Sequence, residues 1–295
     1  MNWLYLVFFA NLISAVVVLL DRHLVSDRAY GKSEVYAFYV GVLSIFVIAL
    51  LPFHVVLKPS FHVILLSIIT ALSYMVSIIY LYKALRVSDA SDVAPMLGAV
   101  VALSAYVFNL AFLHETYNGN FLPAFTFLVI GMVLMSYFRF TKKSFFFVII
   151  SGALLGFSFI FMKILFTLTT FPDAFFWSRM ANVLAALLLL LIPINRNAIL
   201  RSFYKTRPRT VYLTFINKAM SGIAVLMIFY AINIGHVSLV NALNGLQFVF
   251  LFIFALIFSK KFPKYFDETI LSNHNAFFKV MATFFIVVGY FLLFA

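Results

Sequence analysis

The chain has no cysteine and little charge. Without cysteine it can form no disulfide, no thiolate metal site and no cysteine nucleophile. Only 10% of its 295 residues are charged, whereas 65% are hydrophobic and 39 are phenylalanine. Soluble globular domains are near half apolar, so this composition and the mean hydropathy of +1.11 exclude a soluble fold.

Long polar stretches are also scarce. Apolar runs of roughly 18 or more residues, enough helix to cross a hydrocarbon core about 30 Å thick, recur with short polar breaks. These runs lack the alternation of barrel strands, and lipid admits only helices or closed barrels. The sequence therefore predicts an all-α polytopic membrane protein, with no break long enough to hold a soluble domain.

The apolar runs predict about ten membrane spans. They cover roughly residues 2–21, 34–55, 61–86, 92–113, 120–138, 144–168, 172–194, 210–234, 237–259 and 276–294. The first run has neither a basic leader nor a small-residue cleavage site, so we expect it to remain as a helix.

The second half of the chain repeats the first. Shifts of about 141 residues early in each half, and about 147 residues later, bring similar residues into register. The pairs include Tyr36 with Trp177, Pro52 with Pro193, Ala84 with Ala231, Ser91 with Ser238 and Gly98 with Gly245. Each half holds about five spans, an odd number, so the repeats 1–140 and 141–295 are predicted to be inverted relative to each other.

Basic residues follow the same inversion. In the first half they flank loops one and three, and in the second half they flank the counterparts of loops two and four. They are Arg22, Arg28, Lys32, Lys83 and Arg86, then Arg196, Arg201, Lys205, Arg207, Arg209, Lys260, Lys261 and Lys264. In a soluble protein the net charge of +12 would indicate nucleic acid, but here it indicates orientation by the bilayer, with no nucleic-acid partner.

This pattern resembles the EamA-like branch of the drug/metabolite transporter superfamily over essentially the whole chain. The matching residues are Tyr82, Ala84, Leu85, Ser88, Ala90, Ala94-Pro95, His114-Glu115 and Gly131, then Arg179, Tyr230, Ala231, Ser238, Ala242 and Gly289. The chain departs from the family pattern where Lys260-Lys261 replace an acidic residue.

The resemblance implies a secondary transporter rather than an enzyme. It implies a multi-pass protein of the bacterial cytoplasmic (inner) membrane that exports or exchanges an amino acid or a related zwitterion or anion by alternating access. No cofactor is implied, and the protein would be a monomer or a homodimer.

The alternative is a membrane enzyme acting on a lipid-linked substrate, which would need acid/base or metal-binding residues clustered at one membrane face. That face offers few beyond Asp89, Asp92 and Asp267, and no metal-binding motif is present.

Three amides form the clearest candidate path for a substrate. Asn241, Asn244 and Gln247 lie at i, i+3 and i+6 and so share one helix face, whereas the first repeat has Ala94 and Leu97 at the corresponding positions. Polar side chains within spans tend to face the bundle interior. Hydrogen bonding between helices is an equally good explanation of these amides.

Two cations within spans are candidate ligands of a substrate anion. Arg179, with Asn182 one turn further on, suits bidentate binding of a carboxylate or phosphate, and its structural alternative is a pair with Asp173. Lys218 lies at a similar depth in the eighth span. A third cation, Lys163, is expected to extend toward the membrane surface.

Weaker candidates come from other spans. Tyr74 and Ser77 lie on a polar stripe of the third span, where hydrogen bonding within the helix is the favoured explanation. Asn11 in the first span and Tyr230, the counterpart of Tyr82 in the repeat, complete the set of predicted substrate-binding residues.

No carboxylate is evident inside a span. The acidic residues near the membrane all lie at predicted span ends; they are Asp21, Glu34, Asp89, Asp92 and Glu115. The cations therefore lack an obvious neutralising partner, which favours an anionic or zwitterionic substrate. Proton-coupled transport would use a carboxylate inside a span to carry the proton, so the absence of such a residue favours exchange.

The charge bias predicts that both chain ends lie on the non-cytoplasmic side, since Lys and Arg accumulate in cytoplasmic loops. A topology reporter fused after Ala295 should give a non-cytoplasmic signal, and one inserted at Lys205 a cytoplasmic signal. The superfamily also has members with both termini in the cytoplasm. Reversal of both signals would establish that orientation instead.

Overall fold

The computed structural model describes residues 2–26, 32–88, 90–114, 120–136, 141–205, 208–258 and 273–292, and all regular secondary structure in these ranges is helical. Seven helical segments in the described ranges are long and apolar enough to cross a membrane. The prediction of an all-α, multi-pass membrane protein is confirmed. Several basic loop residues fall outside the described ranges, namely Arg28, Arg207, Lys260, Lys261 and Lys264.

The described chain contains the following helices in order. They are α1 (Asn2–Ser26), α2 (Ser33–Val42), α3 (Phe61–Leu85), α4 (Ala90–Phe112), α5 (Phe121–Ser136), α6 (Lys142–Leu168), α7 (Phe171–Leu188), α8 (Pro193–Lys205), α9 (Pro208–Ile234), α10 (Val237–Leu243), α11 (Leu246–Phe258) and α12 (Asn273–Leu292), with 3₁₀ helices at Leu43–Phe53 and Leu189–Leu191.

The seven long segments match seven predicted spans. The other three predicted spans coincide with apolar segments that are shorter, at Phe121–Ser136, Val237–Leu251 and Phe277–Leu292. That all ten cross the membrane stays a prediction.

The second span is not one regular helix. It changes from α2 to the 3₁₀ helix Leu43–Phe53, which contains Pro52 and ends at His54 in the left-handed conformation, with φ of 54°. Pro52 supplies no backbone donor, so one hydrogen bond of an α-helical ladder is missing near the end of this span.

The loop predicted after the seventh span is largely the helix α8. Its Ile199 is fully buried and its Ser202 hydroxyl lies 2.9 Å from the Tyr39 hydroxyl, whereas Arg196 and Arg201 are exposed. The buried face of α8 consists of Asn195, Ile199 and Ser202 and packs against the rest of the protein. The density of arginine in this stretch favoured a loop over a helix in the prediction.

The predicted ninth span is broken into α10 and α11 at Asn244-Gly245. Asn-Gly is a strong turn signal, and Gly245 also allows close packing, because a Cβ atom there would lie 3.1 Å from Met132 Cγ. The break falls within the stretch that carries Asn241, Asn244 and Gln247, the three amides predicted to form a substrate path.

The helices pack into one bundle around a large apolar core. The main neighbours are α3 with α6, α5 with α12, α4 with α6, α1 with α9, α3 with α7, α4 with α5 and α4 with α10. Contact between α4 and α6 is close because α6 has glycine at the crossing: a Cβ atom on Gly156 would lie 2.8 Å from Ser104 Cβ and 3.0 Å from the Ala105 nitrogen. Small residues of this kind let membrane helices approach each other.

Reciprocal hydrogen bonds join α3 to α6. The Ser77 hydroxyl donates to the Ser151 carbonyl at 2.7 Å, and the Ser151 hydroxyl donates to the Ser77 carbonyl at 2.9 Å. Further along, the Ser158 hydroxyl donates to the Thr70 carbonyl at 3.0 Å. The expected hydrogen bonding within the third span is therefore wrong for Ser77, whose bonds cross to a second helix. A structural role for this residue follows.

Lys163 has partners that the sequence did not reveal. Its ammonium group donates to the carbonyls of Ile232, Asn233 and Gly235 at 2.8, 3.1 and 2.8 Å. These carbonyls are at the C-terminus of α9, where helix carbonyls lack partners within the helix and the helix dipole favours a positive charge. Lys163 thus caps a helix from another part of the chain, a contact invisible in the sequence.

We expect Gly156→Ala to destabilise the protein by about 1–3 kcal/mol, because the added methyl group overpacks the α4–α6 contact. The matched control is Gly222→Ala in α9, where a Cβ atom would meet nothing within 4 Å. That change should be neutral or stabilising by up to about 1 kcal/mol, since alanine favours helix. Thermal unfolding in detergent measures both, and equal effects would contradict the close packing.

Candidate functional site

A cavity of about 210 Å³ lies where α1, α3, α4, α6, α10 and α11 meet. At roughly 30 Å³ per water molecule it has room for about seven waters, or for one small metabolite. Most of its wall is apolar. Its polar groups are Asp21 from α1, Tyr82 from α3 and the amides Asn241, Asn244 and Gln247.

The three amides share this cavity, as their spacing predicted. Asn244 and Gln247 are half-buried, and their side chains make no hydrogen bond with another described residue. Asn241 is fully buried; its Nδ2 donates to the Val237 carbonyl at 2.9 Å, and its Oδ1 has no partner in the described part of the chain. Ala94 and Leu97 of α4 form the opposite wall. Asn244 and Gln247 are therefore free to contact a ligand.

Asn11 lies beside the helix break and not in the cavity wall. Its Nδ2 donates to the Leu243 carbonyl at 3.3 Å and to the Val7 carbonyl at 2.8 Å, and the residue is 1% exposed. Asn11 therefore satisfies a carbonyl at the end of α10 and ties α1 to it. The geometry gives it a structural role, which membrane asparagines often have.

Lys218 has a carboxylate partner that the sequence did not reveal. Its Nζ lies 2.6 Å from Asp21 Oδ1, and the same oxygen accepts hydrogen bonds from Asn217 Nδ2 and the Tyr36 hydroxyl, each at 2.6 Å. Asp21 also borders the cavity. The expectation that the span cations lack a neutralising carboxylate is wrong for Lys218.

The error has a physical reason. The predicted first span ends at residue 21, but α1 continues to Ser26, so Asp21 is more than one turn inside the helix. There it faces α9, whose Lys218 is 197 positions away in the sequence. Pairing at this separation requires the tertiary fold. The side chains of Lys218 and Asp21 are only 9% and 17% exposed.

Arg179 is buried without an ion pair. Arg179 is 8% exposed. Its side chain makes no hydrogen bond with any other described residue, and the buried Nε atom has no partner there. Aromatic rings surround the guanidinium instead: its central carbon lies 5.0 Å from the ring centre of Phe229 and 5.6 Å from those of Tyr74 and Phe175. Asn182 lies one turn further along α7 and is 1% exposed. Its Oδ1 atom also has no hydrogen-bond partner among the described residues.

The structural alternative for Arg179, a pair with Asp173, is wrong. Asp173 accepts hydrogen bonds from the Leu57 backbone nitrogen at 2.5 Å and from the hydroxyls of Thr169 and Thr170 at 3.1 and 2.8 Å. These bonds tie the start of α7 to the preceding loop and to residue 57. The acid is fully engaged there, so it leaves the Arg179 charge without compensation.

Aromatic rings only partly offset the burial of this cation. A cation over an aromatic face gains about 0.5–2 kcal/mol. Removing an ion from water costs several kcal/mol even after relaxation of the protein. The Arg179 site therefore favours binding of an anion. Arg179 does not line the 210 Å³ cavity.

Tyr230 belongs to neither the cavity wall nor the Arg179 site. It is 42% exposed on the outer surface, where its ring packs edge-on against Phe171 at 5.3 Å. The shift of about 147 residues that pairs Ala84 with Ala231 pairs Tyr82 with Phe229, and both of these are 2% exposed. Phe229 is thus the counterpart of Tyr82, and it contacts Arg179.

No family model matches the chain, and no curated protein matches it. A solved crystal structure described only as that of a "protein" is similar to it, with a TM-score of 0.64 and 14% sequence identity. The alignment covers 99% of this chain and 96% of the other. At this identity the likeness shows the fold alone, so the class that fold and composition define is a helical, multi-pass membrane protein.

The Asp21–Lys218 pair can be tested by a double-mutant cycle. Asp21→Asn and Lys218→Met should each cost about 3–5 kcal/mol of stability, because each leaves a buried charge without its partner. The double variant should lose clearly less than the sum. Unfolding in detergent gives the values.

The control is the pair of Lys83 and Glu34, 3.0 Å apart, whose lysine is much more exposed than Lys218, with side chains 36% and 20% exposed. Its removal by Lys83→Met and Glu34→Gln should cost less than about 1 kcal/mol. Additive losses in the Asp21 and Lys218 cycle would mean that the two groups do not interact.

Proposed function

We propose that the protein is a secondary transporter of the EamA-like branch of the drug/metabolite transporter superfamily. It moves a small anionic or zwitterionic metabolite, such as an amino acid, across the bacterial cytoplasmic membrane by alternating access. The observation that carries this proposal is the buried Arg179, a cation inside a membrane-spanning bundle with no anion of the described chain beside it.

Arg179 supplies the anion-binding group. Its planar guanidinium can hold a carboxylate or phosphate through two parallel hydrogen bonds, and the unsatisfied Nε is one of the available donors. The rings of Tyr74, Phe175 and Phe229 restrict the plane of the guanidinium and exclude water around it. An arriving anion would relieve the cost of the buried charge, which makes ionised substrates the preferred ligands.

The cavity supplies the groups for the rest of the substrate. Asn244 and Gln247 offer donors and acceptors for neutral polar groups, and Asp21 offers a carboxylate for an ammonium group. A substrate ammonium would compete with Lys218 for Asp21. This combination of a free cation, free amides and an exchangeable carboxylate favours a zwitterion over a simple anion.

Helix contacts support two inverted repeats, 1–140 and 141–295. If α1 corresponds to α6, α3 to α9, α4 to α10 together with α11, and α5 to α12, exchanging the halves converts the α3–α6 contact into the α9–α1 contact and the α4–α6 contact into the α11–α1 contact. The α3–α7 contact does not follow this exchange, because α9 and α2 have no comparable contact in the described part of the chain. The same exchange maps the α4–α10 and α5–α12 contacts onto themselves. A two-fold axis relating the halves produces this pattern, and transporters built this way bind substrate at the repeat interface, often beside a broken helix.

Exchange is the transport mechanism that we propose. Asp21 is the single carboxylate in the cavity wall among the described residues, and three donors already occupy its Oδ1. A proton relay would need a carboxylate that loses and regains its proton during each cycle. The Asp21 network suits a competition between Lys218 and a substrate ammonium instead.

Reconstituted vesicles test the function. Purified protein in proteoliposomes should exchange labelled amino acids against an internal pool, with neutral and acidic amino acids, dicarboxylates and sugar phosphates as the panel. Accumulation no greater than leak for the whole panel would contradict transport of these classes. Conversion of an added lipid-linked substrate would establish the enzyme alternative.

Arg179→Gln should weaken substrate binding by at least about tenfold, because a hydrogen bond to a charged group contributes about 1.5–3 kcal/mol. Arg179→Lys should recover only part of the affinity, since a lysine lacks the two-pronged geometry. Arg196→Gln on the exposed face of α8 is the matched control and should leave transport unchanged. Unaltered affinity in Arg179→Gln would overturn the assignment of this residue.

A further inference from the structure

A second charged feature lies away from the central cavity. It is a cleft of about 530 Å³ between the start of α2, the end of α3 and the start of α6. Four cations and one carboxylate line it, together with an aromatic ring; they are Lys32, Lys83, Arg86, Lys143, Glu34 and Phe147. We refer to it as the basic cleft.

The basic cleft has a strong excess of positive charge. Glu34 neutralises Lys83 across 3.0 Å, which leaves three cations that form no ion pair with another described residue. Lys143 is exposed and lies 5.9 Å from the ring centre of Phe147. Three cations without an anionic partner in the described part of the chain, grouped around one open volume, are complementary to a phosphate-bearing group.

Three membrane spans end at the basic cleft. The spans Ser33–Phe53 and Lys142–Leu168 begin there, and Phe61–Leu85 ends there. The cleft is therefore at the level where the hydrocarbon core gives way to lipid headgroups. Beside it, Phe146 of α6 is 61% exposed and Val87 is 44% exposed, which provides apolar surface next to the charges.

We propose that the basic cleft binds an anionic phospholipid. Lys32, Arg86 and Lys143 hold the headgroup phosphate, and an acyl chain lies along Phe146 on the lipid-facing side of α6. A lipid fits better than a free phosphate because the charges and the exposed apolar residues are adjacent and lie at headgroup level. Basic pockets between transmembrane helices are a recurrent form of lipid headgroup site. This proposal does not depend on the transport function.

Native mass spectrometry of the detergent-purified protein tests the proposal. Phosphatidylglycerol should bind about tenfold or more tightly than phosphatidylcholine, because each Lys or Arg near the headgroup adds to the attraction. The triple variant Lys32→Gln, Arg86→Gln, Lys143→Gln should lose this preference. A control triple, Lys58→Gln, Arg196→Gln, Arg201→Gln, removes three exposed cations outside the cleft and should keep it.

Three results would overturn the proposal. Equal loss in both triples would mean diffuse attraction to the whole basic surface. Equal affinity for the two lipids would remove the role of the anionic headgroup. Displacement of phosphatidylglycerol by inorganic phosphate at equal concentration would identify a free-anion site. If the cleft triple is unfolded in a thermal unfolding assay, the exposed single variant Arg86→Gln replaces it, with an expected partial loss of the preference.

Discussion

The structure depends on how it accommodates positive charge inside a bundle surrounded by lipid. Lys163 donates to three carbonyls at the end of α9, and Lys218 pairs with Asp21. Arg179 has only aromatic rings around it and lacks any anion among the described residues. Two of these cations are satisfied by the protein itself, and the third has no anionic partner among the described residues. Composition alone does not distinguish between these two situations.

Close helix packing and the cavity have a common origin. Where α6 carries glycine and serine, α3 and α4 approach it closely and join it through hydrogen bonds such as those of Ser77 and Ser151. Where α10 gives way to α11 at Asn244-Gly245, the helix is interrupted and the packing opens into the cavity. In the alternating-access mechanism that we propose, one part of the bundle would move against another at this polar opening.

Some features of the site were predictable because they are periodic. The i, i+3, i+6 spacing of Asn241, Asn244 and Gln247 placed them on one face, and they do share a cavity. Other features were not predictable, because the partners come from distant positions. Asp21 pairs with Lys218, which is 197 residues away in the sequence, and the Phe229 ring of α9 contacts the Arg179 guanidinium of α7. The assignment of Tyr230 failed because a shift of a single residue on a helix turns a side chain by about 100°. Phe229 is buried where Tyr230 is exposed.

The sequence by itself determined that the chain is helical and multi-pass, since long apolar runs have no other stable form in lipid. It also determined that two halves with similar patterns carry different polar residues at corresponding positions, which focused attention on the three amides. Only the tertiary structure decided which charges are neutralised. Pairing depends on distances of a few ångströms between side chains from separate helices, and Coulomb and hydrogen-bond energies fall steeply with such distances. Helix periodicity is a local property, whereas charge compensation requires the whole bundle.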